Sequence, residues 1–153
     1  MMQMEQFVNI QKNNFTIKRS TYFKKDSLVE LFKSVGWSSY KYPNTLVTAF
    51  LYSTHVVSIW DGDKLIGIVR SMDDRCWSAN IDCLLIHKDY QHQGLGTIIL
   101  TELLEDLKKE KIHYINVGPD SKELESFYSR FGFKTINGFY MQKELSNKKD
   151  LCL

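Results

Sequence analysis

The amino-acid sequence predicts an α/β (α+β) domain. A meander of three β-rich runs fills residues 56–87, and the last of them passes through a glycine-bearing turn into an amphipathic helix. Further helices with one apolar face stand before and after that centre. Apolar residues alternating every second position mark half-buried strands, and a spacing of three and four marks helices.

Taken in order, residues 1–14 are Gln- and Asn-rich with Phe7, Val8 and Ile10 to bury, which reads as either a frayed end or a short edge strand. Phe15 to Arg19 alternates as a strand does. Asp26 or Ser27, with Glu30, offers an N-cap and capping box ahead of Leu28, Leu31, Phe32 and Val35, and Gly36 is the stop. The loop from Gly36 to Pro43 carries Trp37, Tyr40 and Tyr42, rings that either fold back over the core or line a pocket. Pro43-Asn44 opens a second helix to about Ser53, with Leu46, Ala49 and Phe50 on one side.

Val56 to Trp60, the turn Asp61-Gly62-Asp63 and Lys64 to Arg70 make a hairpin. After a turn at Asp73-Asp74, a strand from about Trp77 to His87 completes the antiparallel meander. Its apolar run Ile81–Ile86 is interrupted by Asp82, as suits a central strand covered on both faces. Leu100, Leu103, Leu104 and Leu107 define the helix that follows. His113 to Val117 reads as a strand ending at Gly118-Pro119. Asp120 or Ser121 then caps a helix with Leu124, Phe127, Tyr128 and Phe131 as its buried stripe and Gly132 as its stop. Residues 133–145 form a hairpin on the type I′ signal Asn137-Gly138, and 146–153 a tail. No repeat or linker divides the chain, so residues 1–153 are expected to form one domain.

Composition excludes several function classes. A net charge of +2 from 20 basic and 18 acidic side chains spread along the chain is no footprint for a nucleic-acid or membrane partner. No apolar run approaches the ~20 residues that span a bilayer. The first six residues also lack the basic and apolar regions of a secretion signal, so a cytoplasmic location is expected. Cys76, Cys83 and Cys152 are odd in number without a CxxC pair, and His55, His87, His92 and His113 are scattered, so neither disulfides nor a metal is expected.

The chemistry-bearing stretch is Tyr90-Gln91-His92-Gln93-Gly94-Leu95-Gly96-Thr97. A strand, a glycine turn and a helix N-terminus together present bare N–H groups and the positive end of the helix dipole, which suits an anion such as a phosphate. The lysine of a P-loop is missing after Gly94 or Gly96, and so is the third glycine of a dinucleotide fingerprint. Backbone amides holding a diphosphate fit better than a γ-phosphate held for transfer. Two glycines spaced by one residue would also suit a plain strand-to-helix turn.

Gln91-His92-Gln93-Gly94-Leu95-Gly96 resembles the Gln/Arg-x-x-Gly-x-Gly/Ala motif of the GNAT N-acetyltransferases, and Phe127-Tyr128-Ser129-Arg130-Phe131-Gly132-Phe133 resembles that family's Phe-Tyr-x-x-x-Gly-Phe. The order of elements over about residues 15–145 is similar too. The resemblance implies a central, mostly antiparallel mixed sheet flanked by about four helices, with acetyl-CoA as co-substrate and no metal. It implies that Leu84, Leu85 and Ile86 pair their backbone with the pantetheine arm. Gln91, His92, Gln93, Gly94, Leu95, Gly96 and Thr97 would surround the pyrophosphate, and Ser121 stands where several relatives place a pantetheine-binding asparagine. Lys88, His92 and Arg130 are either contacts to the 3′-phosphate or plain surface charge.

Tyr128 is the implied catalytic acid, protonating the departing thiolate; read without the resemblance, a core tyrosine on the stripe of Leu124 and Phe131 is the favoured role. Where some relatives carry a glutamate base the chain has Asn116, which leaves Asp82 or water to take the proton. Trp37, Tyr40 and Asp82 are candidates to contact the acceptor. The implied activity is acetyl transfer from acetyl-CoA to a primary amine, on a small molecule or a peptide, by direct attack in a ternary complex. The alternative is a CoA-binding sensor of the same fold without turnover. A homodimer is left open.

Overall fold

The computed structural model describes residues 6–10, 13–119 and 121–136. Strands β1 (Gln6–Ile10) and β2 (Asn13–Lys18) lead into helices α1 (Lys25–Ser34) and α2 (Pro43–Leu51), joined through a 3-10 turn at Ser38–Lys41. The meander follows as β3 (His55–Asp61), β4 (Lys64–Asp73) and β5 (Ser78–Ile86). Helix α3 (Leu95–Lys109), strand β6 (Tyr114–Val117) and helix α4 (Lys122–Ser129) complete the described elements. The six strands form one sheet in chain order, antiparallel except for the parallel pair β5–β6 across the α3 crossover. Residues 6–10 are therefore an edge strand, with Val8 opposite Phe15.

The sheet separates two apolar layers. On one face Phe15, Ile17, Val57, Ile66 and Val69 pack with Leu95, Ile99, Leu103 and Leu107 of α3 and with Tyr128 of α4. On the other, Val56, Leu65, Ile68 and Leu85 pack with Leu28 and Phe32 of α1 and with Leu46 and Phe50 of α2. Each such side chain contributes about 1.5–3 kcal/mol by leaving water, so these layers hold the sheet that carries the site.

The start of α1 differs from the sequence expectation. Lys24 is the N-cap and makes no side-chain cap bond, which places Asp26 and Ser27 inside the first turn instead of at a capping box. Phe23 and Leu28, both buried in the same layer, flank that start at the positions of a hydrophobic staple, and apolar packing sets the entry of the chain. The stop at Gly36 is as expected: at φ +75° its N–H bonds the Lys33 carbonyl and the Trp37 N–H bonds that of Phe32. Helix α2 ends at Leu51, and the Ser53 hydroxyl donates back to the Ala49 carbonyl.

In α4 the expected stripe is shorter than its spacing suggested. Tyr128 is buried, but Leu124 is 38% exposed, because it lies one turn before the part of the helix that meets α3. Ser121 is the cap, its Oγ accepting the Leu124 N–H at 3.2 Å. The closing hairpin at Asn137-Gly138 and the tail lie outside the described residues. Among the described residues no helix is long and apolar enough to cross a membrane.

Candidate active site

The site begins with a fault in the alternation of β5. Ile81 and Leu84 face the α3 layer, Cys83 and Leu85 face the α1–α2 layer, and Asp82 pairs with Arg70 on that same second side. Two consecutive residues on one face are the signature of a β-bulge. The register agrees, since Ile68 opposes Leu85 while Arg70 opposes Asp82, and Cys83 holds a left-handed φ of +55°. Beyond the bulge β5 parts from β6. The parallel pairing runs from Ser78↔Tyr114 to Ile81↔Val117 and stops, while β5 continues to Ile86. Residues 82–86 thus have no described strand along their β6 side.

The open edge leads directly into the glycine turn. Gln91 ties the two together, its Nε2 donating to the Ile86 carbonyl over 3.0 Å. His92 and Gly94 both take positive φ, +61° and +80°, and Gly94 is the N-cap of α3. No side chain caps that helix, its first turn has no acidic residue, and nothing lies within 4 Å of where a Cβ on Gly94 would stand. An anion placed at that positive helix end would meet no competing carboxylate from the first turn. Leu95 is buried, which leaves its place in the site to its backbone. Around Gly96 three elements meet, because a Cβ there would touch Ile86 of β5 and Phe127 of α4, each at 3.8 Å. Tyr128 follows Phe127, with ring contacts to Phe127 and Phe133 at 5.3 and 5.7 Å. Tyr128 is 6% exposed.

The structure therefore brings Leu84 to Ile86, Gln91 to Thr97 and the Phe127-Tyr128 pair to one end of the sheet. Ser121 uses its hydroxyl as a helix cap, as described above. Trp37 packs edge-on against Phe32 at 5.9 Å and is 36% exposed, while Tyr40 lies against the α1–α2 layer. Both aromatics fold over the core while keeping part of their surface open. Arg130 lies over the Phe127 ring at 5.1 Å.

Asp82 stands at the bulge in an ion pair. Its Oδ2 receives the Arg70 Nη2 at 2.6 Å and Nε at 3.2 Å, and the Cys83 thiol at 3.3 Å. Burial acts to raise this carboxyl, but the hydrogen bonds and charge of Arg70 outweigh it and hold the group below the usual carboxylate range. Burial first, and the Asp82 charge second, push the Cys83 thiol up to about 12, so it is not a nucleophile at neutral pH. Asn116, on β6 opposite Asn80, is exposed and has no group that titrates near neutrality.

Two groupings were not foreseen from the sequence. Arg70 lies within β4, and counting the meander back from the Asp73-Asp74 turn places it beside Asp82, the single acid of the next strand. His55, which spacing left isolated, has Nδ1 3.1 Å from Asp73 and Nε2 3.0 Å from Glu110. Their ligand-type atoms lie within 4.8 Å of one another, and Ser71 donates to the same Asp73 carboxylate at 2.9 Å. This cluster joins β3 and β4 to the end of α3, at the end of the helix away from Gly94.

Comparison with known proteins agrees with this geometry. Residues 37–145 match the family model for an acetyltransferase (GNAT) domain. The chain is 30% identical over 132 residues to the uncharacterized N-acetyltransferase ycf52 of Gracilaria tenuistipitata var. liui, covering 80% of this chain and 68% of that one. It is 32% identical over 94 residues to histone acetyltransferase TAP1 of Glycine max, covering 60% of this chain and 40% of that protein. A GNAT-family acetyltransferase structure from Streptococcus pneumoniae TIGR4 superposes with a TM-score of 0.67 at 23% identity, over 85% of this chain and 99% of that one. The chain belongs to the GNAT acetyltransferase family, and its mixed sheet and flanking helices have that family's fold.

Proposed function

We propose that the chain transfers the acetyl group of acetyl-CoA to a primary amine by direct attack in a ternary complex. The observation that carries this reading is the continuity of the open β5 edge, residues 82–86, with the Gly94-capped start of α3. An unpaired strand edge offers hydrogen bonds to an extended amide-bearing chain such as pantetheine, and the helix start offers amides to a diphosphate. Both halves fit acetyl-CoA, which supplies the thioester.

Within that frame, Leu84, Leu85 and Ile86 hold the pantetheine arm through their backbone, and one amide of this edge stabilises the oxyanion as the amine attacks. The amides of residues 92–97 hold the pyrophosphate, with Gln91 fixing the turn. As the new C–N bond forms and the C–S bond breaks, Tyr128 gives its proton to the departing thiolate. A phenol near pKa 10 is protonated at neutral pH and able to donate. Asp82, kept ionised by Arg70, is a poor proton acceptor and acts instead as the anionic partner of the incoming ammonium; the proton leaves through water. Trp37 and Tyr40 border the acceptor side.

The test is thiol release from acetyl-CoA with a panel of amines, polyamines and peptide N-termini, run beside Tyr128→Phe. The proposal requires release with at least one acceptor and a loss of about 100-fold or more in kcat for the variant, with acetyl-CoA affinity retained. Binding without release on any amine would favour a CoA-sensing module, the reading supported by Asn116 in place of an acid on β6.

A further inference from the structure

We propose that Arg70 is the positioning residue of the acceptor half of the site, fixing the Asp82 carboxylate at the bulge and tying it to α2. This rests on the proposed function above. Four contacts define the role. Nε and Nη2 of Arg70 converge on Asp82 Oδ2 at 3.2 and 2.6 Å, while Nη1 donates to the Ala49 carbonyl at 3.1 Å and the guanidinium lies over the Phe50 ring at 5.3 Å. The planar fork of arginine makes such a set and lysine does not. The Arg70 side chain is 14% exposed and that of Asp82 43%. The cation is therefore enclosed behind the carboxylate, and the carboxylate faces outward.

The Arg70 and Cys83 side chains all donate to Asp82 Oδ2, and Asp82, its side chain 43% exposed, is the first residue of the strand edge that opens after Ile81. A half-exposed carboxylate held from behind by an enclosed guanidinium is a directed acceptor for an ammonium group. Among the described residues the charged and titratable groups around it are Arg70 from β4 and Cys83 from β5; the Ala49 carbonyl of α2 and the Ser53 hydroxyl just beyond that helix accept from Arg70. The acceptor class that follows is an amine that arrives protonated and docks by its own ammonium.

The experiment is a double-mutant cycle with Arg70→Met and Asp82→Asn, read in acetyl-transfer kinetics with spermidine, a lysine peptide and a peptide bearing a free N-terminus. Arg70→Met is expected to lower kcat on the order of tenfold through a misplaced carboxylate, and to do nothing more in the Asp82→Asn background. The pH dependence adds a readout that a merely structural role would not move. Binding of spermidine or the lysine peptide to the CoA complex, measured by calorimetry, is expected to stay level for the wild type from pH 8 to about 5, where these amines are fully protonated, and to weaken toward the acid end for Arg70→Met, in which burial raises the Asp82 carboxyl without Arg70 to oppose it. Arg70→Lys keeps the charge without the fork, and is expected to keep the level profile while losing kcat. If Arg70→Met does not fold, this lysine variant and its double with Asp82→Asn decide. Additive losses in either cycle, an Arg70→Met profile identical to wild type, or a wild-type kcat in Arg70→Lys overturn the role of Arg70. Absence of transfer by the wild type to every amine overturns the proposed function itself.

Discussion

The Gln91 side-chain amide donates to the carbonyl of Ile86, so the last residue of β5 and the turn before α3 are joined by a bond that neither element's backbone supplies. Gln91→Ala removes that bond at a cost of about 1 kcal/mol. Acetyl-CoA affinity is expected to fall by about fivefold, with kcat changed less. Titration calorimetry with acetyl-CoA checks it.

Gly94 holds φ +80° at the cap of α3, in space that is open on its Cβ side. Gly94→Ala meets no clash and is expected to cost about 1–2 kcal/mol of backbone strain, while binding survives. Gly94→Asp adds a negative charge where the proposed diphosphate sits, and is expected to abolish acetyl-CoA binding. Full affinity in the aspartate variant would count against the phosphate role of the turn. Melting temperatures and binding isotherms of the two variants separate strain from charge.

Much of this was legible in the sequence. The helix and strand periodicities placed the layers, and the turn at residues 91–97 declared itself by its glycines and by what it lacked. What was not legible depended on tertiary pairing. The bulge at Asp82-Cys83 adds one residue to a strand whose apolar run continues through it, so spacing alone does not reveal the change of face. The Arg70–Asp82 pair and the His55–Asp73–Glu110 cluster join residues that are distant in the chain, and only register brings them together. At α1 the local capping signal was overruled by burial of Phe23 and Leu28.

Gly67 lies opposite Ile86, and a Cβ there would stand 2.7 Å from side-chain atoms of both Ile59 and Ile86. Gly67→Ala is expected to destabilise the fold by about 1–3 kcal/mol through overpacking. Denaturant unfolding measures it, and an unchanged midpoint would mean that the two isoleucines repack freely.

The Cys83 thiol, pushed up to about 12 by burial, is expected to resist alkylation at pH 8, where the exposed Cys76 reacts. Mass mapping of iodoacetamide-treated native protein checks this, with denatured protein as the control in which Cys83 is labelled alongside Cys76. Rapid native labelling of Cys83 would show a reactive thiolate there, against the raised pKa.

His87 is buried at the end of β5, and its pKa is held below the ordinary value of about 6.5, first by burial and then by the Lys64 charge; Asp89 and Glu30 act the other way. The unfolded chain takes up this proton more readily than the folded one. The stability contributed by neutral His87 is therefore fully present above about pH 6.5 and is lost as pH falls through its folded pKa. The melting temperature is expected to decline on acidification through this window, and less steeply in His87→Gln. Parallel pH slopes for the two proteins would remove His87 from the account.

The early end of the β5–β6 ladder also has a meaning for the energetics of the apoprotein. A sheet that leaves one seam unlaced at residues 82–86 holds in reserve hydrogen bonds that no strand among the described residues completes. If the pantetheine arm fastens that seam, occupancy and folding become one linked equilibrium, worth ~2.7 kcal/mol when free ligand stands at a hundred times its Kd. The metabolic supply of acyl donor would then govern how long the polypeptide lasts as well as how fast it turns over.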